Sequence, residues 1–191
     1  HARQVVLPAG VFSGSRSASA DDVAARAHAA RVQFQSALLA WYRGTAGNKG
    51  VQALAVVLEG LRETAGSESE ARLWWVGTGV ADALEAGLLA DSREIKQLFG
   101  RLDRQIKRLV ESDDVDFEDK QTDDLLESLL GCISDLDADE GRLATIISTF
   151  GPGMDRIDQG GGFSSCGLRG VAEDDGGKAG SRPGLHLVPV R

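Results

Sequence analysis

The residues with most scope for chemistry are three histidines and two cysteines, and their spacing withholds it. His1, His28 and His186 stand far apart, none with a Cys or second His at ligand spacing, so no metal site is expected. Cys132 and Cys166 have no Cys-x-x-Cys spacing, which fits neither a disulfide framework nor a zinc site and points to a reducing, cytoplasmic compartment. Cys132 falls among Leu129, Ile133 and Leu136, the setting of a buried thiol with no base beside it. Gly77-Thr78-Gly79 has the look of a phosphate loop, but it lacks the preceding strand and the Lys that such a loop needs. Close helix packing is its expected role, as for Gly100. Catalytic residues and cofactors are therefore expected to be absent.

Charge supplies the other signal. The formal net charge is −8, yet the stretch from Glu111 to Glu140 holds 13 acidic residues against Lys120 alone. The rest of the chain is therefore net basic. The carboxylates lack the Asp-x-Asp-x-Asp-Gly order and closing Glu of a calcium loop, so a solvated connection is expected. An acidic chain is a poor ligand for nucleic acid, whose affinity comes largely from phosphate contacts. No apolar run approaches the length of a membrane span, so membrane insertion is not expected.

Two features could bind a protein. Arg101, Arg104 and Arg108 recur one helical turn apart, opposite an apolar stripe. They form either a solvated charged face, supported by an Asp103–Lys107 pair, or a docking ridge for carboxylates. A third possibility is that the ridge meets the acidic stretch of the same chain. Trp74 and Trp75 point about 100° apart on a helix, which sets Trp74 toward the core and Trp75 with Asp82 on the far side. Trp75 is then an interface anchor, unless an added helix covers it.

These residues are carried by helices. Apolar residues recur at helical spacing through Val23, Ala27, Phe34, Leu38 and Trp41, through Val51 to Leu61, and through Leu73, Val76, Val80, Leu84 and Leu88. Ile95 to Val110 is the cleanest amphipathic stretch, followed by Leu125 to Leu136 and a short run from Leu143 to Phe150. Ser19-x-x-Asp22, Ser67-x-x-Glu70 and Asp91-x-x-Glu94 are helix-start signatures. Strand alternation is missing. The expected fold is all-α, an antiparallel bundle with a four-helix core and one or two added helices. Residues 1–18 read as a flexible leader, 19–150 as the bundle, and 151–191 as a linker or disordered tail holding 11 of the 24 glycines. The chain opens on His1 rather than Met, as expected of a piece of a longer or processed protein.

Three stretches carry a family resemblance. They are Phe34-Gln35-Ser36-Ala37-Leu38-Leu39-Ala40-Trp41, then Ala71-Arg72-Leu73-Trp74-Trp75-Val76 with Ala81-Asp82-Ala83-Leu84-Glu85, and above all Ile95 through Leu109. Together they resemble the N-terminal helical region of the chemotaxis-type hybrid histidine kinases of type IV pilus systems, ChpA and PilL, a region shared with the pilus scaffold protein FimL. The resemblance spans roughly positions 30 to 150. It implies a bundle built like a histidine phosphotransfer domain, acting on other signalling or pilus-regulatory proteins or on adjacent domains of the same kinase. The chain has no ATP-binding, receiver or coupling region.

An active phosphotransfer domain of that kind carries His-x-x-Lys-Gly on an exposed helix face. Here Lys49-Gly50 is preceded by Ala46 in place of His. His28 is followed by Arg31, a cation, and by Val32 where Gly is needed. His28 is thus the one phosphoacceptor candidate, a degenerate one, expected near the apolar side of Ala24 and Ala27. A non-catalytic scaffold for control of pili and twitching motility is the leading expectation. The alternatives are an active phosphotransfer domain and an unrelated helical ligand-binding or oligomerisation domain. Partner identity and oligomeric state are open at this stage.

Overall fold

The computed structural model describes residues 5–14, 19–45, 47–112 and 115–151. Ala46, Cys166, His1 and His186 lie outside the described residues, as does the expected tail beyond residue 151. Six α-helices follow in order: α1 (Ala20–Tyr42), α2 (Asn48–Glu63), α3 (Glu68–Glu85), α4 (Arg93–Glu111), α5 (Lys120–Ile133) and α6 (Gly141–Phe150). No strand occurs among the described residues, only an isolated bridge between Ala9 and Phe12.

The helix starts follow local chemistry. Ser19 Oγ accepts the Asp22 amide and Ser67 Oγ the Glu70 amide, each satisfying a donor that has no partner inside its helix. α4 is capped by Ser92, whose Oγ accepts the Ile95 amide, one residue beyond the expected Asp91. Asp91 pairs instead with Lys96 at 3.0 Å. α3 stops earlier than its apolar spacing predicts. Gly87 adopts φ +73°, and the amides of Gly87 and Leu88 return to the Leu84 and Ala83 carbonyls. That turn leaves Leu88 43% exposed and buries Leu89 in the core, so Leu88 is not the face residue that its spacing predicts.

α1 packs between α2 and α4, α2 against α3, and α5 closes the gap between α3 and α4. Antiparallel order of α1 and α4 shows in two cross-links. Tyr42 Oη donates to the Lys96 carbonyl at 2.6 Å, and Arg31 pairs with Asp103 further along. α6 lies on α3, which has 13 of its 18 residues buried and so has no solvent face of its own. A Cβ at Gly77 would lie 3.3 Å from the methyls of Leu58 and Leu102, and one at Gly79 would collide with Ile146 of α6. Both glycines admit neighbouring helices. Gly100 does not, since its nearest outside atom is Tyr42 Oη at 3.9 Å.

Gly50 serves the same end in the first turn of α2. A Cβ there would stand 3.1 Å from both the Cβ and the backbone nitrogen of Trp41, and a helix backbone cannot swing aside as a side-chain tip can. Gly50→Ala is therefore expected to destabilise the fold by about 1–2 kcal/mol, although Ala is the better helix former. Thermal unfolding of the variant checks this, and a raised Tm would contradict it.

Residues 5–14 lie across α2 and α3 within the segment read as a leader. Arg62 Nη1 donates to the carbonyls of Gly10 and Val11 at 3.0 and 2.6 Å, and Arg72 Nη2 reaches the Val5 carbonyl at 3.5 Å. Val11 is 8% exposed and joins the core, with Leu7 packed beside it.

Candidate functional site

α4 and the connection after it place the basic ridge. Ile95, Leu98, Phe99, Leu102, Ile106 and Leu109 hold one face of α4 in the core, which turns the arginines outward. The three have different surroundings. Arg108 is bound into the acidic stretch: its Nη2 donates to Asp119 Oδ2 at 2.6 Å and to the Asp116 carbonyl at 2.9 Å, while Nη1 reaches Gln105 Oε1 at 2.7 Å. Its guanidinium also lies 5.7 Å from the centre of the Phe117 ring. Burial raises the Asp119 carboxyl, but the Thr122 amide and hydroxyl together with Arg108 outweigh it and hold the group below the usual Asp range. Arg108 thus fastens the α4–α5 connection, and it is not a free docking contact. Arg101 keeps one long contact, 3.5 Å to Ser128 Oγ on α5. Arg104 is exposed and makes no ion pair among the described residues.

The expected Asp103–Lys107 pair does not form. Lys107 pairs with Glu111 at 3.3 Å, one turn on. Asp103 faces α1, where Arg31 Nε and Nη2 each donate to it at 3.2 Å and Gln35 Nε2 adds a third bond at 3.3 Å. This forked contact fixes both planes and neutralises Arg31.

His28 is exposed on α1, not turned toward the apolar side as its Ala24 and Ala27 neighbours led us to expect. Small alanines face the core and the solvent alike, so they carry no strong directional signal. Arg31, the cation one turn on, is committed to Asp103, and Val32 projects 56% exposed where a phosphotransfer site needs the open space of Gly.

Trp75 corrects the anchor reading. It is 4% exposed, and the Phe150 ring of α6 lies 6.4 Å away. Trp75 does share a face with Asp82, and α6 covers both. Arg142 of α6 donates to Asp82 Oδ2 at 3.0 Å and approaches Glu59 Oε2 at 3.4 Å, tying α6 to α3 and α2. Burial, helped by the neighbouring Glu85 and Glu59 carboxylates, raises the Asp82 carboxyl against the pull of Arg142. Trp74 sits in the core as expected, with its indole Nε1 donating to the buried Glu70.

One groove was not foreseen. Residues 5–6, the start of α3 and one side of α5 enclose about 660 Å³, with Glu68, Arg72, Glu118 and Asp123 on its walls. Arg72 Nε is buried there without an acceptor among the described residues. Long-range packing of an extended segment created this space, and no local sequence signal announces it. Among the described residues no group of three His, Cys, Asp or Glu side chains is placed to hold a metal ion. The Cys132 thiol is buried and donates to the Ser128 carbonyl. Among those residues no helix is long and apolar enough to cross a membrane.

A family model described as "FimL scaffold protein second domain" matches residues 19–154. No curated protein and no solved structure matches the chain.

Proposed function

The chain belongs to the FimL scaffold protein second domain family, and on that premise we propose that it is a non-catalytic docking module in a chemotaxis-like phosphorelay that controls type IV pili and twitching motility. Its partners are then other signalling or pilus-regulatory proteins, or neighbouring domains where the chain forms part of a larger CheA-like kinase. Membership of a scaffold family supports binding over chemistry. The single structural observation that supports it further is the state of His28, an imidazole on a helix surface where Arg31, the cation one turn on, is held by Asp103. A phosphoryl group placed there would compete with Asp103 for Arg31, and Val32 projects where a receiver domain needs the open space of Gly.

Arg101 and Arg104 are the proposed docking residues, because their forked donors fit carboxylates on a partner and neither is tied to a carboxylate among the described residues. The decisive experiment incubates the chain with a phosphorylated receiver or CheA-like kinase. The expected result is no acid-labile phosphate above that seen with His28→Gln. Label that disappears in His28→Gln would make the module an active phosphotransfer domain and end the scaffold reading.

A further inference from the structure

The outer face of α1 and α2 has a composition that the packing of the described residues does not account for. On α1, Ala25, Ala29, Val32, Ser36 and Leu39 follow one another at alternating four- and three-residue steps, all exposed. Ala53, Val56 and Gly60 do the same on the adjoining face of α2. Val56 is 71% exposed, Val32 56% and Leu39 51%, three of the six large apolar side chains left in solvent among the described residues. Solvent faces of helices are ordinarily polar. Gly60 adds a second oddity, since it sits inside α2 and a Cβ there would meet nothing within 4 Å. Its cost in helix stability, roughly 1 kcal/mol against Ala, is not offset by any close approach among the described residues.

Both rows end in charges, and the signs are ordered. The α1 row continues at the same spacing to Asp22 at one end and Arg43 at the other. The α2 row runs from Lys49 to Glu63. Because the two helices are antiparallel, Asp22 and Glu63 share one end of the face, and Arg43 and Lys49 share the other. None of these four side chains has an ion-pair partner among the described residues. On α2 the order also opposes the helix dipole, which favours acid at the start and base at the end.

We propose that this face is where two copies of the chain meet, through a two-fold axis perpendicular to α1 and α2. That axis lays α1 on α1 and α2 on α2, antiparallel, so that Asp22 meets Arg43 and Lys49 meets Glu63 of the partner copy. A two-fold axis along the helices would set like charges together, and the charge order rejects it. The register agrees. Val56 lies midway between Lys49 and Glu63, so the axis carries it onto its own copy, and the centre of the α1 row falls at Val32. Small residues on either side of these valines let the backbones approach. A rise of about 1.5 Å per residue makes the face roughly 30 Å long and, across two helices, about 600 Å² per copy. That is at the small end of specific interfaces, so the dimer is concentration-dependent.

Sedimentation equilibrium of the full 191-residue chain across about 5–500 µM tests this. A reversible monomer–dimer equilibrium is expected, weakened at least tenfold by Val56→Arg, with the Tm unchanged at concentrations where both proteins are monomeric because Val56 of a single copy is in solvent. Lys49→Glu should weaken the dimer about fivefold, and adding Glu63→Lys should restore it, since each copy then presents the reversed pair. A chain that stays monomeric throughout would overturn the proposal. So would a dimer indifferent to Val56→Arg, or a failure of the double reversal to rescue Lys49→Glu.

Discussion

Phe99→Ala is expected to cost the fold about 4 kcal/mol, the largest loss of any single truncation considered, and to lower Tm by more than 10 °C. Phe99 is fully buried on α4 and lies between two aromatic neighbours of α1. Its ring stacks on Phe34 at 6.4 Å between centroids and meets Trp41 edge-on at 5.3 Å. Truncation removes the ring from the core and leaves a cavity that two rigid aromatics cannot collapse to fill. Aromatic pairs of this geometry add roughly 1 kcal/mol each beyond area burial. Phe99→Leu, which keeps most of the volume, should recover about half of the loss. Denaturant unfolding of the two variants separates the cases, and a loss below about 2 kcal/mol for Phe99→Ala would show that the α1–α4 seam is slack.

Glu70→Ala should destabilise by about 3 kcal/mol. Glu70 is 7% exposed and holds two donors, the Gly66 amide at 2.8 Å and the Trp74 indole nitrogen at 3.1 Å. Removing the carboxylate strands the buried Trp74 indole donor and strips the Gly66 amide of its acceptor at the edge of the core. Glu70→Gln keeps the shape but turns an amide NH₂ toward one of them, so it should fall between wild type and Ala. Burial pushes the Glu70 carboxyl above the usual Glu range, against the opposing pull of the Gly66 and Trp74 bonds. For an acid whose folded pKa is raised, the folded state binds the proton more tightly. The associated stability is present in full below the unfolded pKa and is lost as pH rises through the raised folded value. Stability measured from pH 4 to 8 should therefore carry a downward component in wild type that Glu70→Gln lacks. Identical pH slopes for the two proteins would refute it.

Local signals in the chain were legible where one helix and its own neighbours decide the outcome. Ser19 and Ser67 cap as their spacing predicts, and the α4 stripe from Ile95 to Leu109 is buried as its period requires. Elements tied by distant contacts were not legible. α3 is covered on every side, so assigning Trp75 to a solvent face assumed an outer face that α6 removes. The partition of the arginine ridge depends on where Asp119 falls, and Asp103 turns to α1 because Arg31 and Gln35 stand opposite it. The placement of residues 5–14 rests on Arg62 and Arg72, which nothing in the leader's own sequence identifies.

The grip on residues 5–14 has a consequence for variation. Arg62 holds main-chain oxygens, which every amino acid supplies, and Val11 is the side chain that enters the core. Substitutions at Val6, 87% exposed, should drift freely, whereas position 11 should accept only compact apolar residues. Homologues aligned over this segment should accordingly preserve an apolar residue at position 11 and little else of its wording.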